Sequence, residues 1–133
     1  MRIGSLADAM RYSTTGMTAE RFRMDTISSN LANANSVARP GEEGYRRRAV
    51  VLTASEGGVR IDGVEKDMEC DFQMKYEPGH PFADAKGMVT MSNIDPISEM
   101  VDMIGASRAY EANIAAFNSA KGMMNSALQI GKA

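Results

Sequence analysis

The stretch that decides the fold is PISEMVDMIGASRAYEANIAAFNSAKGMMNSALQI, residues 96–130. Positions spaced alternately by three and four residues mark one side of a helix, and seven of the nine are apolar. This spacing predicts a long helix with a coiled-coil seam. Asp95 suits the N-cap, Pro96 the first helical position and Gly131 the stop. The nine positions are Met100, Met103, Ser107, Tyr110, Ile114, Phe117, Lys121, Met124 and Leu128.

The same spacing opens the chain, where seven of nine positions are again apolar. Ser5 followed by Asp8 fits a capping box at the start of a helix. The Asn-, Gly- and Pro-containing stretch after Leu31 favours turns and predicts the end of that helix. The predicted N-terminal seam consists of Ile3, Leu6, Met10, Ser13, Met17, Glu20, Met24, Ile27 and Leu31.

A β-prone region separates the two helical segments. RAVVLTA (48–54) and GVRIDGV (58–64) are rich in β-branched residues and meet at Gly57-Gly58, which predicts two paired strands. A third strand is predicted over residues 68–76, where apolar and polar residues alternate. Its inward face would consist of Met68, Cys70, Phe72, Met74 and Tyr76, so we expect Cys70 to be a buried, inert thiol.

The predicted fold class is mainly α with a small β-rich middle. The two long terminal helices are expected to pair as an antiparallel coiled coil. Residues 1–35 and 93–133 would then form one discontinuous coiled-coil domain, with a loop and small β-rich region over 36–92. Ile97, Val101 and Ile104 form a further apolar patch, which indicates packing against more than one neighbour.

Composition limits the possible functions. The chain has 133 residues and 14.4 kDa, which fits one domain. Fifteen Lys and Arg against 17 Asp and Glu give a net charge of −2, whereas a general nucleic-acid binder needs a basic excess. We expect no membrane-spanning helix, because no apolar run approaches about 20 residues. The N-terminus also lacks the continuous apolar stretch of a cleaved secretory signal.

Catalytic and ligand-binding motifs are missing from the sequence. The single histidine, His80, lies in EPGHPF and is more often structural in such a turn, although a small hydrolase using His80 with Asp84 is an alternative. Arg46-Arg47-Arg48 could hold phosphate, but three charges beside a strand more often lie in solvent or pair with acids. We therefore expect no enzyme, no cofactor, no metal site, no nucleic acid and no small-molecule substrate.

Three segments resemble the flagellar rod and hook family. SSNLANANS (28–36), followed by Gly44-Tyr45-Arg46, resembles that family's N-terminal signature, and residues 98–128 resemble its C-terminal helix. YEPGHPFADAKGMVTMSN (76–93) resembles the segment typical of the proximal rod subunits. The loop between Asn35 and Gly44 is longer than in many rod proteins. The positions that match the family motifs are Asn30, Leu31, Asn33, Asn35, Tyr45, Arg108, Tyr110, Glu111 and Asn113.

The resemblance implies a structural subunit of the flagellar basal-body proximal rod. Such subunits are exported through the flagellar type III apparatus and assemble in the periplasm, with themselves and other rod proteins, into the hollow drive shaft that transmits torque. It also implies that the two apolar seams serve as coiled-coil and subunit-interface positions. The alternative is a soluble helical adaptor that binds a separate partner protein and forms discrete complexes rather than tubes.

Overall fold

The computed structural model describes residues 3–132 and has two long helices with a small β-rich middle, as predicted. Residues 1, 2 and 133, at the outer ends of the predicted terminal segments, lie outside the described residues. The elements in chain order are α1 (Ile3–Ala32), β1 (Arg48–Ser55), β2 (Gly58–Lys66), β3 (Met74–Tyr76), β4 (Met88–Thr90) and α2 (Pro96–Gly131).

Side-chain capping accounts for the start of α2. Asp95 is its N-cap: one carboxylate oxygen accepts the Ile97 N–H at 3.2 Å, and the other accepts the Ser98 hydroxyl at 2.6 Å. The predicted capping box at Ser5 is wrong. The helix already includes Ile3 and Gly4, and a capping residue must lie outside the helical turns.

The two helices pack against each other through small and aliphatic side chains, a side-chain hydrogen bond and a close approach at Gly16. Asn30 Nδ2 donates to Glu99 Oε2 at 2.9 Å. Gly16 lies against Asn113 so closely that a Cβ at residue 16 would be 2.8 Å from the amide nitrogen and oxygen. The buried apolar residues of the two helices are Leu6, Ala19, Ile27, Ala106 and Ala120.

The β1–β2 hairpin also packs against α1. The strands pair antiparallel from Arg48↔Lys66 to Ser55↔Gly58, with a bulge between Val51 and Leu52, which confirms the predicted pair of strands. Near its turn the hairpin contacts α1, because the Val59 N–H donates to Thr15 Oγ1 at 3.2 Å. Contacts with the hairpin and with α2 therefore leave α1 between two neighbours.

The strand predicted over residues 68–76 is wrong except for its last three residues. The Asp67 carboxylate accepts the backbone N–H groups of Glu69 and Cys70 at 3.0 and 3.1 Å, and this turn bends the chain where an extended strand was expected. Cys70 is exposed rather than buried. The same face includes three further exposed side chains, namely Met68 (68%), Met74 (53%) and Tyr76 (67%).

A small cluster joins the chain that leaves α1 to the chain that enters α2. β3 pairs antiparallel with β4, whose Val89 is 1% exposed. The buried Ser92 donates its hydroxyl to Ala34 O at 2.6 Å, and Ile94 is 1% exposed beside it in the chain. The two helix ends are therefore fixed to each other by the segment that connects them.

Candidate functional site

Asn30, from the asparagine-rich motif, is fully buried at the end of α1. Its Nδ2 donates to Arg48 O at 2.8 Å and to Glu99 Oε2 at 2.9 Å. Its Oδ1 accepts the Arg48 N–H at 3.0 Å and the Tyr45 hydroxyl at 3.3 Å. One amide therefore connects α1, β1 and the first turn of α2.

Arg47 neutralises the buried carboxylate on α2. Its Nε pairs with Glu99, which is 0% exposed, and its second guanidinium nitrogen lies 3.0 Å from Asp102. The hydrogen bond to Glu99 raises the pKa of Arg47 above its ordinary value. A buried charge is costly unless it is paired and hydrogen-bonded, and here both conditions are met.

Asn93 completes the same network from the segment before α2. Its Oδ1 accepts the Arg47 N–H at 2.6 Å, while its Nδ2 donates to Asp67 O and Cys70 O, each at 3.2 Å. We call Asn30, Arg47, Asn93 and Glu99 the polar knot. It holds the helix ends, the hairpin base and the 67–70 turn together.

The other motif residues lie outside the polar knot and either bond within their own segment of chain or are exposed. Asn33 closes the end of α1, donating to Ser29 O at 2.8 Å and accepting the Ser36 hydroxyl at 3.1 Å. Asn113 donates to Ala109 O at 3.0 Å beside Gly16. Leu31 and Tyr110 are half-buried, whereas the exposed motif residues are Asn35, Arg108 and Glu111.

The predicted N-terminal seam contains both buried and half-buried side chains. Leu6 and Ile27 are buried, and the side chain of Ile3 lies outside the described part of the chain. The half-buried members are Met10, Met17, Met24 and Leu31.

On α2 only half of the predicted seam packs within the chain. Met103, Tyr110, Phe117 and Met124 are half-buried. Met100, Ile114 and Leu128, predicted as coiled-coil or subunit-interface positions, are 55%, 37% and 53% exposed and are not buried within the chain. The buried positions are instead Glu99, Ala106 and Ala120. The spacing of large apolar residues did not reveal these positions. The two alanines are small, which permits close approach of the helices, and Glu99 is charged.

An apolar patch faces away from α1 at the start of α2. Ile97, Met100, Val101 and Ile104 are 73%, 55%, 64% and 55% exposed, and we call them the outer patch. At about 100° per residue, they lie on the side of the helix away from the buried Ala106. Contiguous exposed apolar surface of this kind marks protein interaction sites.

The side chains of the alternative hydrolase site are occupied by their own loop. His80 Nδ1 accepts the Phe82 N–H at 3.1 Å. Asp84 Oδ1 accepts the Lys86 and Met88 N–H groups at 2.8 and 2.9 Å, which holds the pKa of Asp84 below its ordinary value. Within residues 3–132, no group of three or more His, Cys, Asp or Glu could hold a metal ion. Neither helix in that range is apolar enough over sufficient length to cross a membrane.

Two family matches cover the two helical ends. Residues 10–40 match the family described as flagella basal body rod protein. Residues 85–130 match the family described as flagellar basal body rod FlgEFG protein C-terminal. Both matches fall within the class of flagellar basal-body rod proteins.

Relatives from distant bacteria narrow this class. The chain is 36% identical to the flagellar basal-body rod protein FlgC of Bacillus subtilis (strain 168), over 93% of this chain and 97% of that protein. It is 41% identical to FlgC of Escherichia coli O6:H1, over 89% and 92%. It is 37% identical to FlgC of Borreliella burgdorferi, over 94% and 97%. The chain belongs to the FlgC family of flagellar basal-body rod proteins, which confirms the resemblance seen in the sequence.

Proposed function

We propose that this chain polymerises, with copies of itself and other rod proteins, into the hollow proximal rod that transmits torque from the motor to the hook. The single observation that carries the proposal is the similarity to FlgC over about nine tenths of the chain. The outer patch supports it further, because a subunit within a tube needs apolar surface beyond its own fold. A structural role of this kind requires no catalytic residues.

We also propose that α1 and α2 form an antiparallel coiled coil, in one discontinuous domain made of residues 1–35 and 93–133. Two contacts support this pairing. Asn30 contacts Glu99 and Gly16 contacts Asn113. The contacts run in opposite directions along the two helices, because two heptads towards the start of α1 correspond to two heptads towards the end of α2.

The subunit interfaces are proposed to use the residues that the single chain leaves exposed. Met100, Ile114 and Leu128 are apolar, repeat at helical spacing and stand outside the buried side of α2. The exposed motif residues Arg108 and Glu111 lie on the same helix and are proposed to contact neighbouring subunits. In this arrangement the polar knot shapes each subunit, and the exposed side of α2 joins subunits together.

The flagellar type III export apparatus is the proposed route to the periplasm. We infer this partner from family membership, because the rod subunits of the family are proposed to be exported without a cleaved signal. The adaptor alternative uses the same helices but predicts discrete stoichiometric complexes with one partner protein.

An outer-patch variant tests the proposal. Ile104→Asp adds a charge at a position 55% exposed, so the chain should keep its helical content while rods fail to form and cells stay non-motile. Ala85→Asp is the control, because it adds the same charge at an exposed position in the loop between β3 and β4, outside α2. Cryo-EM of basal bodies from both strains measures rod length. Full-length rods with Ile104→Asp would remove the outer patch from the interface, and a discrete two-protein complex would favour the adaptor.

A further inference from the structure

We propose that the polar knot sets the register in which α1 packs against α2. The inference rests on the pairing of the two helices proposed above and not on assembly into a rod. Its starting point is that one of the two rows of the α1 seam repeats itself. Met10, Met17 and Met24 are identical residues one heptad apart, and all three are half-buried.

A seam of this kind discriminates weakly between registers. If α1 moves along α2 by one heptad, a methionine takes the place of a methionine at two successive positions. Methionine is flexible and fills irregular gaps, so the facing side chains need little adjustment. On α2 the facing series is also uniformly large, consisting of Met103, Tyr110, Phe117 and Met124. At these methionine positions apolar contact discriminates weakly between neighbouring registers, and only the second row, with Leu6 and Ile27, opposes a shift.

The polar knot allows only one register. A shift of one heptad would bring Asn30 to Ala106 or to the segment before α2, instead of to Glu99. Ala106 is 0% exposed and its side chain has no polar atom, so the amide would lose its buried partner. Glu99 would lose Asn30 in the same step. A single polar position in an otherwise apolar seam is known to specify register in coiled coils.

A steric contact two heptads away acts in the same direction. Gly16 lies against Asn113, where a Cβ would be 2.8 Å from the amide atoms. In a shifted register Ala9 or Arg23 would take the place of Gly16 beside Asn113. The wrong register is thus opposed by a lost hydrogen-bond network at one end and by crowding in the middle.

The test is a distance measurement on the full chain in solution. Nitroxide labels are attached at Thr18→Cys and Asn125→Cys, both exposed positions, in a Cys70→Ser background. A shift of one heptad changes the separation of the labels along the helix axis by about 10 Å, at 1.5 Å per residue. Pulsed electron spin resonance resolves this difference. The background chain should give one narrow distance.

Replacing Asn30, Arg47 and Glu99 together by leucine removes the polar contacts between the two helices without leaving a buried charge unpaired, although the Arg48 N–H and C=O lose their bonds to Asn30. We expect this variant to stay helical and to give two distance populations separated by about 10 Å. Ile27→Ala is the control: it removes a buried apolar side chain, so stability should fall while the single distance remains. Glu99→Gln keeps the shape of the knot and one acceptor oxygen for Asn30, but its NH2 group cannot accept from Arg47. Stability should fall while the single distance remains.

Three outcomes would overturn the proposal. The first is an unchanged single distance in the helical leucine variant, because register would then be set elsewhere. The second is loss of helix in that variant while Glu99→Gln behaves as the background, because the knot would then supply stability rather than register. The third is a broad distance distribution in the background chain itself.

Discussion

Replacing Gly58 by alanine should detach the hairpin from α1, whereas the same change at the adjacent glycine should not. Gly58 has a φ of +122°, and a Cβ there would overlap Thr15 Oγ1 and lie 3.2 Å from Thr15 Cβ. At Gly57 the nearest atom to an added Cβ is Ser55 Oγ at 4.0 Å. The two glycines therefore provide a matched pair in which only one position is restricted.

The magnitude follows from two terms. A positive φ costs an alanine about 1–2 kcal/mol relative to glycine. Displacing Thr15 breaks its hydrogen bond from the Val59 N–H, which contributes about 1 kcal/mol. Gly58→Ala should thus lower the free energy of unfolding by about 2–3 kcal/mol. Gly57→Ala should change it by no more than about 0.5 kcal/mol, as is usual for surface substitutions.

Urea titration followed by circular dichroism at 222 nm measures both variants against the natural chain. Thr15→Ala, added to each, removes the hydroxyl that the new Cβ meets and separates the steric term from the φ term. Gly58→Ala should lose part of its penalty in that background, while Gly57→Ala should not respond. Equal stabilities of the two glycine variants, or no coupling to Thr15, would refute the packing described for the hairpin.

Three further predictions concern exposed groups. Cys70 should react with a thiol reagent in the folded chain, because it is exposed. Its hydrogen bond to the Asp67 carboxylate and the charge of that carboxylate raise the pKa of Cys70, so Asp67→Asn should speed the reaction near pH 8. Hydrogen bonds from the Ser98 hydroxyl and the Ile97 N–H lower the pKa of Asp95. The ionised Asp95 therefore stabilises the fold fully above its ordinary pKa of 3.8, and this contribution is lost as the pH falls through the lower pKa of the folded state. In urea titrations Asp95→Asn should flatten the pH dependence of the unfolding free energy. Ile114→Asp should lower the free energy of unfolding of the isolated chain by less than about 1 kcal/mol, because residue 114 is 37% exposed.

The prediction for Ile114 has a control within the chain, and the other two have outcomes that would contradict them. Ala106→Asp places a charge at a position 0% exposed, so in the same urea titration it should cost several times more than Ile114→Asp. Equal losses would return Ile114 to the buried side of α2. A Cys70 that reacts only in denaturant would contradict its exposure. An unchanged pH profile in Asp95→Asn would mean that the cap contributes nothing to the pH dependence.

Local signals account for the parts of the fold that the sequence predicted correctly. Both helices carry apolar residues at helical spacing over four heptads or more, and Asp95 with Pro96 starts α2 where expected. The turn at Gly57-Gly58 divides two β-branched runs and marks the hairpin in the same way. In these elements the residues that determine the structure lie within a few positions of each other along the chain.

The strand predicted over 68–76 failed because alternation does not report burial by itself. Met68, Cys70 and Met74 alternate with polar residues, yet within residues 3–132 no helix or strand buries their side chains. Asp67 gave the only contrary signal, since an aspartate can bind the backbone N–H groups that follow it. This local bonding was available without a sheet partner, and it prevailed over the alternating pattern.

The polar knot was only half visible in the sequence. The family motif pointed to Asn30 and to Tyr45, which donates to it, but the motif did not include Arg47, Asn93 or Glu99. Arg47 lies in a basic run that was expected to face solvent or to pair with acids, and it pairs with Glu99 and Asp102. A signal for Glu99 was nonetheless present. It precedes Ala106, Asn113 and Ala120 by whole heptads, and these four residues share the buried side of α2.

The difference between the predicted and the observed buried side of α2 has a physical explanation in the proposed assembly. Spacing arguments assume that the largest apolar residues of a helix face its partner in the same chain. In a subunit of a polymer that assumption fails, because neighbouring copies can bury large residues such as Ile104 and Ile114, while small residues such as Ala106 let the intrachain partner approach closely. The exposed side of α2 is then more hydrophobic than the buried side, and the mismatch itself indicates a helix that lacks most of its partners until the rod is built.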